Sequence, residues 1–188
     1  MTTPFVDALN LERESTSVRE RYGREEFGQG CLLARRLLET GVNFVEVQHG
    51  GWDTHVNNFS AVRNLCQAID KPWGALMEDL DSSGLLDETL VIWMGEFGRT
   101  PRINANRGRD HFPRVIPTLI GGVGLASGTA IGQTNKSGTE IDGESHSVAD
   151  LFATIFRTLG IDPGHEFQTE FKSPAPATDG GEAIKELI

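Results

Sequence analysis

The sequence predicts an α/β fold with a mainly parallel sheet. Three features carry that expectation. A β-rich segment, Val42 to His49, is followed by a long helical pattern and then by a nearly continuous apolar run, Thr89 to Phe97. Strand–helix–strand alternation is how crossover units build parallel sheets. An apolar run without alternation suits a strand covered on both faces.

The elements follow in order. Residues up to about Tyr22 are polar, with Phe5, Val6, Leu9 and Leu11 as apolar anchors, and read as an arm or a short docked helix. Arg24 to Thr40 carries Phe27, Cys31, Ala34, Leu37 and Leu38 at helical spacing, and Gly41 is a plausible stop. From Asn58, the series Phe59, Val62, Leu65, Cys66, Ile69, Leu76, Met77 and Leu80 is helical. Pro72 is expected to kink or split that helix. Pro117 to Val123 reads as another strand, and the Gly-, Ser- and Thr-rich stretch to Ser145 as loop or hairpin. Val148, Leu151, Phe152, Ile155, Phe156 and Leu159 make an amphipathic helix that stops at Gly160. The expected organisation is an arm over 1–22, a domain over 23–171 and a peripheral Pro-, Ala- and Gly-rich tail over 172–188.

Composition narrows the function. The 188 residues fit one domain with a real core. Asp and Glu number 27 against 17 Lys and Arg, a net charge of -10. That balance argues against a nucleic-acid or membrane-surface binder, which needs a basic face. An anionic small substrate is still compatible, because bound metal ions reverse the local field. No apolar run is long enough to span a bilayer, and the N-terminal residues lack the apolar core of an export signal. The two cysteines, Cys31 and Cys66, both fall in helical apolar patterns and read as core thiols.

Ligands of α/β sheets bind outside the carboxyl ends of the strands, which directs attention to three loops. In HGGWDTH, Asp53 and His55 stand two apart, so extended backbone sends both side chains to one face. A carboxylate and an imidazole from one segment make a half-site for zinc, manganese or iron. The competing reading has Asp53 capping the next helix. In MGEFGRTP, Glu96 follows an apolar strand and must be paired or metal-bound if it is buried. It can pair with Arg99, whose planar donor fork also suits an oxyanion. In GRDHFP, Asp110 and His111 can both reach a metal from a loop. No phosphate-binding loop, dinucleotide fingerprint or nucleophile elbow is present.

The strings RERYGREEFGQGCLLARRLLETGVNFVEV, GGWDTHVNNF, MGEFGRTPRIN, GRDHFP and GGVGLASGTAIGQT, in this order, closely resemble the DUF1501 family from about Arg19 to Ile161. That family is similar in fold to the alkaline phosphatase and sulfatase superfamily. The resemblance implies a three-layer α/β/α domain, incomplete at its N-terminus because relatives carry a further half with the first core strand. It also implies a metal-dependent hydrolase of phosphate or sulfate esters. Asp53, His55, Glu96, Asp110 and His111 would ligate a divalent ion (zinc, calcium or manganese), and Arg99 would clamp the anion. Glu96-Phe97 stands where the superfamily has Asp-His, a departure for which Asp110-His111 is expected to compensate. The alternative is a non-catalytic domain that keeps the polar cluster as a hydrogen-bonded knot or a binding surface. Relatives are often exported, and the missing half is an expected partner.

Overall fold

A computed structural model describes residues 3–188. The chain divides into two compact units. One runs to Leu86 and takes in Arg102–Asp110; the other comprises Asp87–Pro101 and His111–Ile188.

The first unit is helical. It contains α1 (Pro4–Ala8), a 3-10 turn (Leu11–Arg13), α2 (Thr16–Tyr22), α3 (Glu26–Glu39) and α4 (Asn58–Ser82). The sequence sets the ends. Thr3 and Ser15 accept hydrogen bonds from Val6 N and Val18 N, capping α1 and α2. Gly41, with φ of 84°, follows α3 and ends it as expected. The buried core consists of Tyr22, Cys31, Leu32, Ala34, Ile69, Ala75, Leu76 and Leu80. Tyr22 comes from the end of α2; the others fall at helical spacing on α3 and α4, which is why those two helices pack. Pro72 neither splits nor ends α4: it lies buried inside one 25-residue helix. Packing of its ring against the core offsets the backbone hydrogen bond that it removes. Cys31 is buried, and desolvation pushes its thiol up to about 12. Cys66 is exposed, contrary to the core position its spacing suggested.

Asp79 on α4 ties three helices together. Tyr22 Oη donates to Asp79 Oδ2 at 2.8 Å, Arg21 Nη2 pairs with Asp79 Oδ1, and Arg35 Nε lies 3.6 Å from Oδ2. Glu14 receives Arg35 and Arg36, each at 2.6 Å. Burial, then the hydrogen bond to Asp79, pushes the Tyr22 hydroxyl far above its ordinary value, so it remains a neutral donor. The hydrogen bond to Asp79 likewise raises Arg21.

The second unit contains β1 (Val91–Met94), β2 (Gly98–Arg99), β3 (His111–Phe112), β4 (Thr118–Gly121), α5 (Val148–Thr158), β5 (Glu166–Gln168) and β6 (Pro174–Pro176). Its strands form three two-stranded antiparallel pairs: β1 with β4, β2 with β3, and β5 with β6. In the first pair Val91 faces Gly121 and Met94 faces Thr118.

These pairs overturn the expectation of a three-layer domain with a mainly parallel sheet. Helix takes 37% of the residues and strand only 12%, and every strand pair is antiparallel. The physical reason lies in the connections. A parallel pair needs a crossover element between its strands, and no helix lies between β1 and β4, so the chain returns antiparallel. Val42 to His49 has the composition of a strand, but residues 42–50 have no strand assignment. Without that first strand, α4 is not a crossover helix. Nor is the Thr89 to Phe97 run buried on both faces: Val91 to Trp93 are half-buried, and Met94 is exposed.

Helix α5 is closed by a capping box. Ser147 Oγ accepts from Asp150 N at 3.1 Å, and Asp150 Oδ2 accepts from Ser147 N at 2.7 Å. Asp150 Oδ1 also accepts from Glu182 N at 2.8 Å, and Thr154 Oγ1 from Ile184 N at 2.8 Å. These bonds hold the C-terminal segment, where Ile184 and Leu187 are buried. Backbone hydrogen bonds from Ser147, then Glu182, hold the Asp150 carboxyl below the usual carboxylate range. A depressed folded value contributes stability above the unfolded value of about 3.9 and loses it as pH falls through the folded one. Ser147→Ala removes the side-chain cap of α5 and should cost about 1 kcal/mol in urea unfolding near neutral pH. The acid limb of the stability curve should flatten in Asp150→Asn.

Candidate metal centre

Two segments of the first unit build the candidate site: residues 52–58, ahead of α4, and Arg102–Asp110. The second segment docks on the first through backbone. Val56 and Arg107 form an isolated antiparallel bridge. Asn57 N donates to Asn106 O at 3.1 Å, Asn58 N to Arg107 O at 2.9 Å, and Arg109 N to Thr54 O at 3.1 Å. Gly108 is buried where its backbone meets the His55 carbonyl, an approach that leaves no room for a side chain. Asn57 and Arg107 have φ of 50° and 57°, a left-handed conformation that asparagine tolerates and that is costly for arginine. Beneath the loops, buried Asn58 Nδ2 donates to Thr54 Oγ1 at 2.6 Å.

On this base three expected ligands meet. His55 Nε2 lies 2.9 Å from Asp53 Oδ1, and His55 Nδ1 lies 3.1 Å from Asp110 Oδ1. The last contact joins residues 55 apart in the chain. Asn104 Nδ2 donates to Asp110 Oδ1 at 2.9 Å and to the His55 carbonyl at 3.1 Å. The three titratable side chains are partly open to solvent, at 61% for Asp53, 42% for His55 and 56% for Asp110. They are therefore accessible to a dissolved ion. Asp53 does not cap α4: the N-cap is Asn57.

The remaining expected residues belong to the second unit. Arg99 Nη2 is 3.7 Å from Glu96 Oε1, as the sequence suggested, and its guanidinium carbon lies 5.7 Å from the Phe97 ring centre. Arg99 pairs with His111 across β2 and β3, and the His111 ring lies 4.5 Å from Phe97. Phe97 thus packs against both an imidazole and a guanidinium.

Sequence reading missed Asn104, Thr54, Asn58 and Gly108. A signal was present for two of them. Asn followed four residues later by Gly is turn chemistry, because an Asn side chain readily bonds backbone N–H groups just ahead of it.

An imidazole between two carboxylates can hold a divalent cation, or it can serve as a charge-paired clamp between two loops. Comparison with curated proteins and with solved structures gives no match. The family model described as "Protein of unknown function (DUF1501)" matches residues 1–188, and the chain belongs to that family.

Proposed function

We propose that Asp53 and His55 bind a divalent metal ion, with Asp110 orienting His55, in a hydrolase of phosphate or sulfate esters. The observation that carries the reading is the His55 imidazole set between Asp53 and Asp110. Metal-ligating histidines characteristically offer one ring nitrogen to the ion and bond the other to a carboxylate. Asp53 Oδ1 and His55 Nε2, 2.9 Å apart, are spaced as neighbouring ligands of one ion. A mixed nitrogen and oxygen set favours zinc or manganese over calcium, which takes oxygen. Such an ion would polarise the ester oxygen as a Lewis acid. In the second unit, Glu96 and His111 are proposed from the sequence as metal ligands, and Arg99 as a clamp for an anionic ester, its donor fork matching two oxygens. The ester class comes by chemical analogy with the alkaline phosphatase and sulfatase superfamily.

Zinc or manganese titration of the full chain tests the reading. Saturating ion should raise the melting temperature, since a ligand at a hundred times its Kd adds about 2.7 kcal/mol. Asp53→Ala and His55→Ala should remove that rise. Unchanged melting and no heat of binding in the unsubstituted protein would refute the metal reading.

A second reading has its own support. Both His55 nitrogens already face carboxylate oxygens, and Asp110 is held further by Asn104. A non-catalytic knot of this kind would pin the two loops without any ion. It predicts insensitivity to metal and chelator, with His55→Ala destabilising in both conditions.

A further inference from the structure

We infer that residues 43–51 form an open strand edge that takes up an added β-strand from a basic partner chain. The segment has the side-chain pattern of extended backbone. Val45, Val47 and His49 are half-buried, and Phe44, Glu46 and Gln48 between them are exposed. Gln48 Nε2 donates to Glu46 Oε1 at 2.6 Å, so side chains two apart share a face, as in a strand. The half-buried face rests on α3. A methyl group added at Gly30 would lie 3.1 Å from Val47 Cγ1, and the His49 ring stands edge-on to Phe27 at 5.1 Å.

The main chain of this segment is unpaired. Residues 43–51 belong to no strand pair, and among the described residues no backbone–backbone hydrogen bond involves them. A run of free N–H and C=O groups on extended backbone is a template for another strand. Proteins guard such edges with lysine, proline or a bulge. Strand β6 carries Pro174 and Pro176, whereas residues 43–51 contain no lysine, arginine or proline.

Charge identifies the occupant. Glu46 is the only acidic side chain of the segment, and Phe44 on the same face is 80% exposed. A carboxylate beside an open aromatic ring suits Lys or Arg on the incoming strand. The cation pairs with Glu46, and its alkyl stem lies along the Phe44 ring. A second copy suits the edge less well. Two chains of net charge -10 repel, and a copy brings another Glu46 in place of a cation. Val45 and Val47 set the other face, where β-branched residues would continue their row over α3. The occupant is therefore an extended segment with β-branched residues at alternate positions and Lys or Arg among those between.

The peptide TVKVTVKV supplies this chemistry and serves as the probe, added to the full chain. Amide hydrogen exchange should be fast over residues 43–51 of the free chain. With peptide, every second amide of the segment should slow by about tenfold or more, since one edge of a strand presents alternate residues. The peptide TPKVTPKV keeps both lysines but breaks the main-chain ladder, and should give no such pattern. The acidic peptide TVEVTVEV should bind about two- to fivefold more weakly than TVKVTVKV. Glu46→Lys should reverse that order. Glu46 is exposed, so the substitution leaves the packing on α3 untouched.

Slow exchange at 43–51 in the free chain would mean that the edge is already closed, and would overturn the inference. So would the absence of alternate protection with TVKVTVKV, or an equal effect from TPKVTPKV. Equal binding of the basic and acidic peptides, or an order that Glu46→Lys leaves unchanged, would remove the basic partner. Protection of the same amides that rises with the concentration of the chain alone would assign the edge to a second copy instead.

Discussion

Gly108→Ala is expected to detach Arg102–Asp110 from the segment before α4, at a cost of about 3 kcal/mol or more. An added methyl would fall inside the His55 carbonyl group and against Val56 N. Those neighbours are main chain, so no rotamer change relieves the clash. The loop would have to retreat, and its retreat breaks a connected set of bonds. Among them are Asn58 N to Arg107 O, Arg109 N to Thr54 O and Asn104 N to Gly108 O. The Asn104 contacts to His55 and Asp110 would go with them. Urea unfolding followed by circular dichroism measures the loss of stability. A cost below about 1 kcal/mol would show that the loop can shift without losing its anchors.

The second large effect is expected at Asp79. Asp79→Ala should destabilise the protein by about 3–5 kcal/mol, the usual cost of removing one partner from a buried charge network. The mechanism is orphaning rather than loss of attraction. Tyr22 is fully buried, and its hydroxyl donates to Asp79 Oδ2. That buried O–H donor still needs an acceptor after the substitution, and water cannot reach it easily. Arg35, with a side chain only 15% exposed, would lose its contact with Asp79 but keep Glu14. Two controls apportion the effect. Asp79→Asn retains an acceptor for Tyr22 and should cost less than Asp79→Ala. Tyr22→Phe removes the donor together with its need for a partner and should cost about 1–2 kcal/mol. If Asp79→Ala and Tyr22→Phe cost the same, the arginines contribute nothing at this point.

Part of the candidate site was legible because that part is local. The Asp53–His55 pair could be read from a spacing of two, and the nitrogen–oxygen contact is present. Asp110 was legible as a residue type in a loop, but its bond to His55 was not. That contact depends on a backbone bridge between Val56 and Arg107 and on a glycine thin enough to permit it. Asn104, which bonds Asp110 and the His55 carbonyl, was not legible as part of the cluster, since asparagine in a turn usually serves only the turn.

By itself the sequence determined α3 and α5, with Gly41 and Gly160 after them, and the helical spacing of α4 though not its continuity through Pro72, because apolar spacing and capping preferences act within a few residues. It also determined the acidic and imidazole groups available for chemistry. Strand pairing was decided only by the tertiary structure. Val42 to His49 has strand composition without a strand, and β1 turned out to pair antiparallel with β4. A strand's residues state a preference for extended backbone, but its hydrogen bonds go to a partner elsewhere in the chain. Which segment arrives there, and in which direction, follows from the connections and packing of the whole unit.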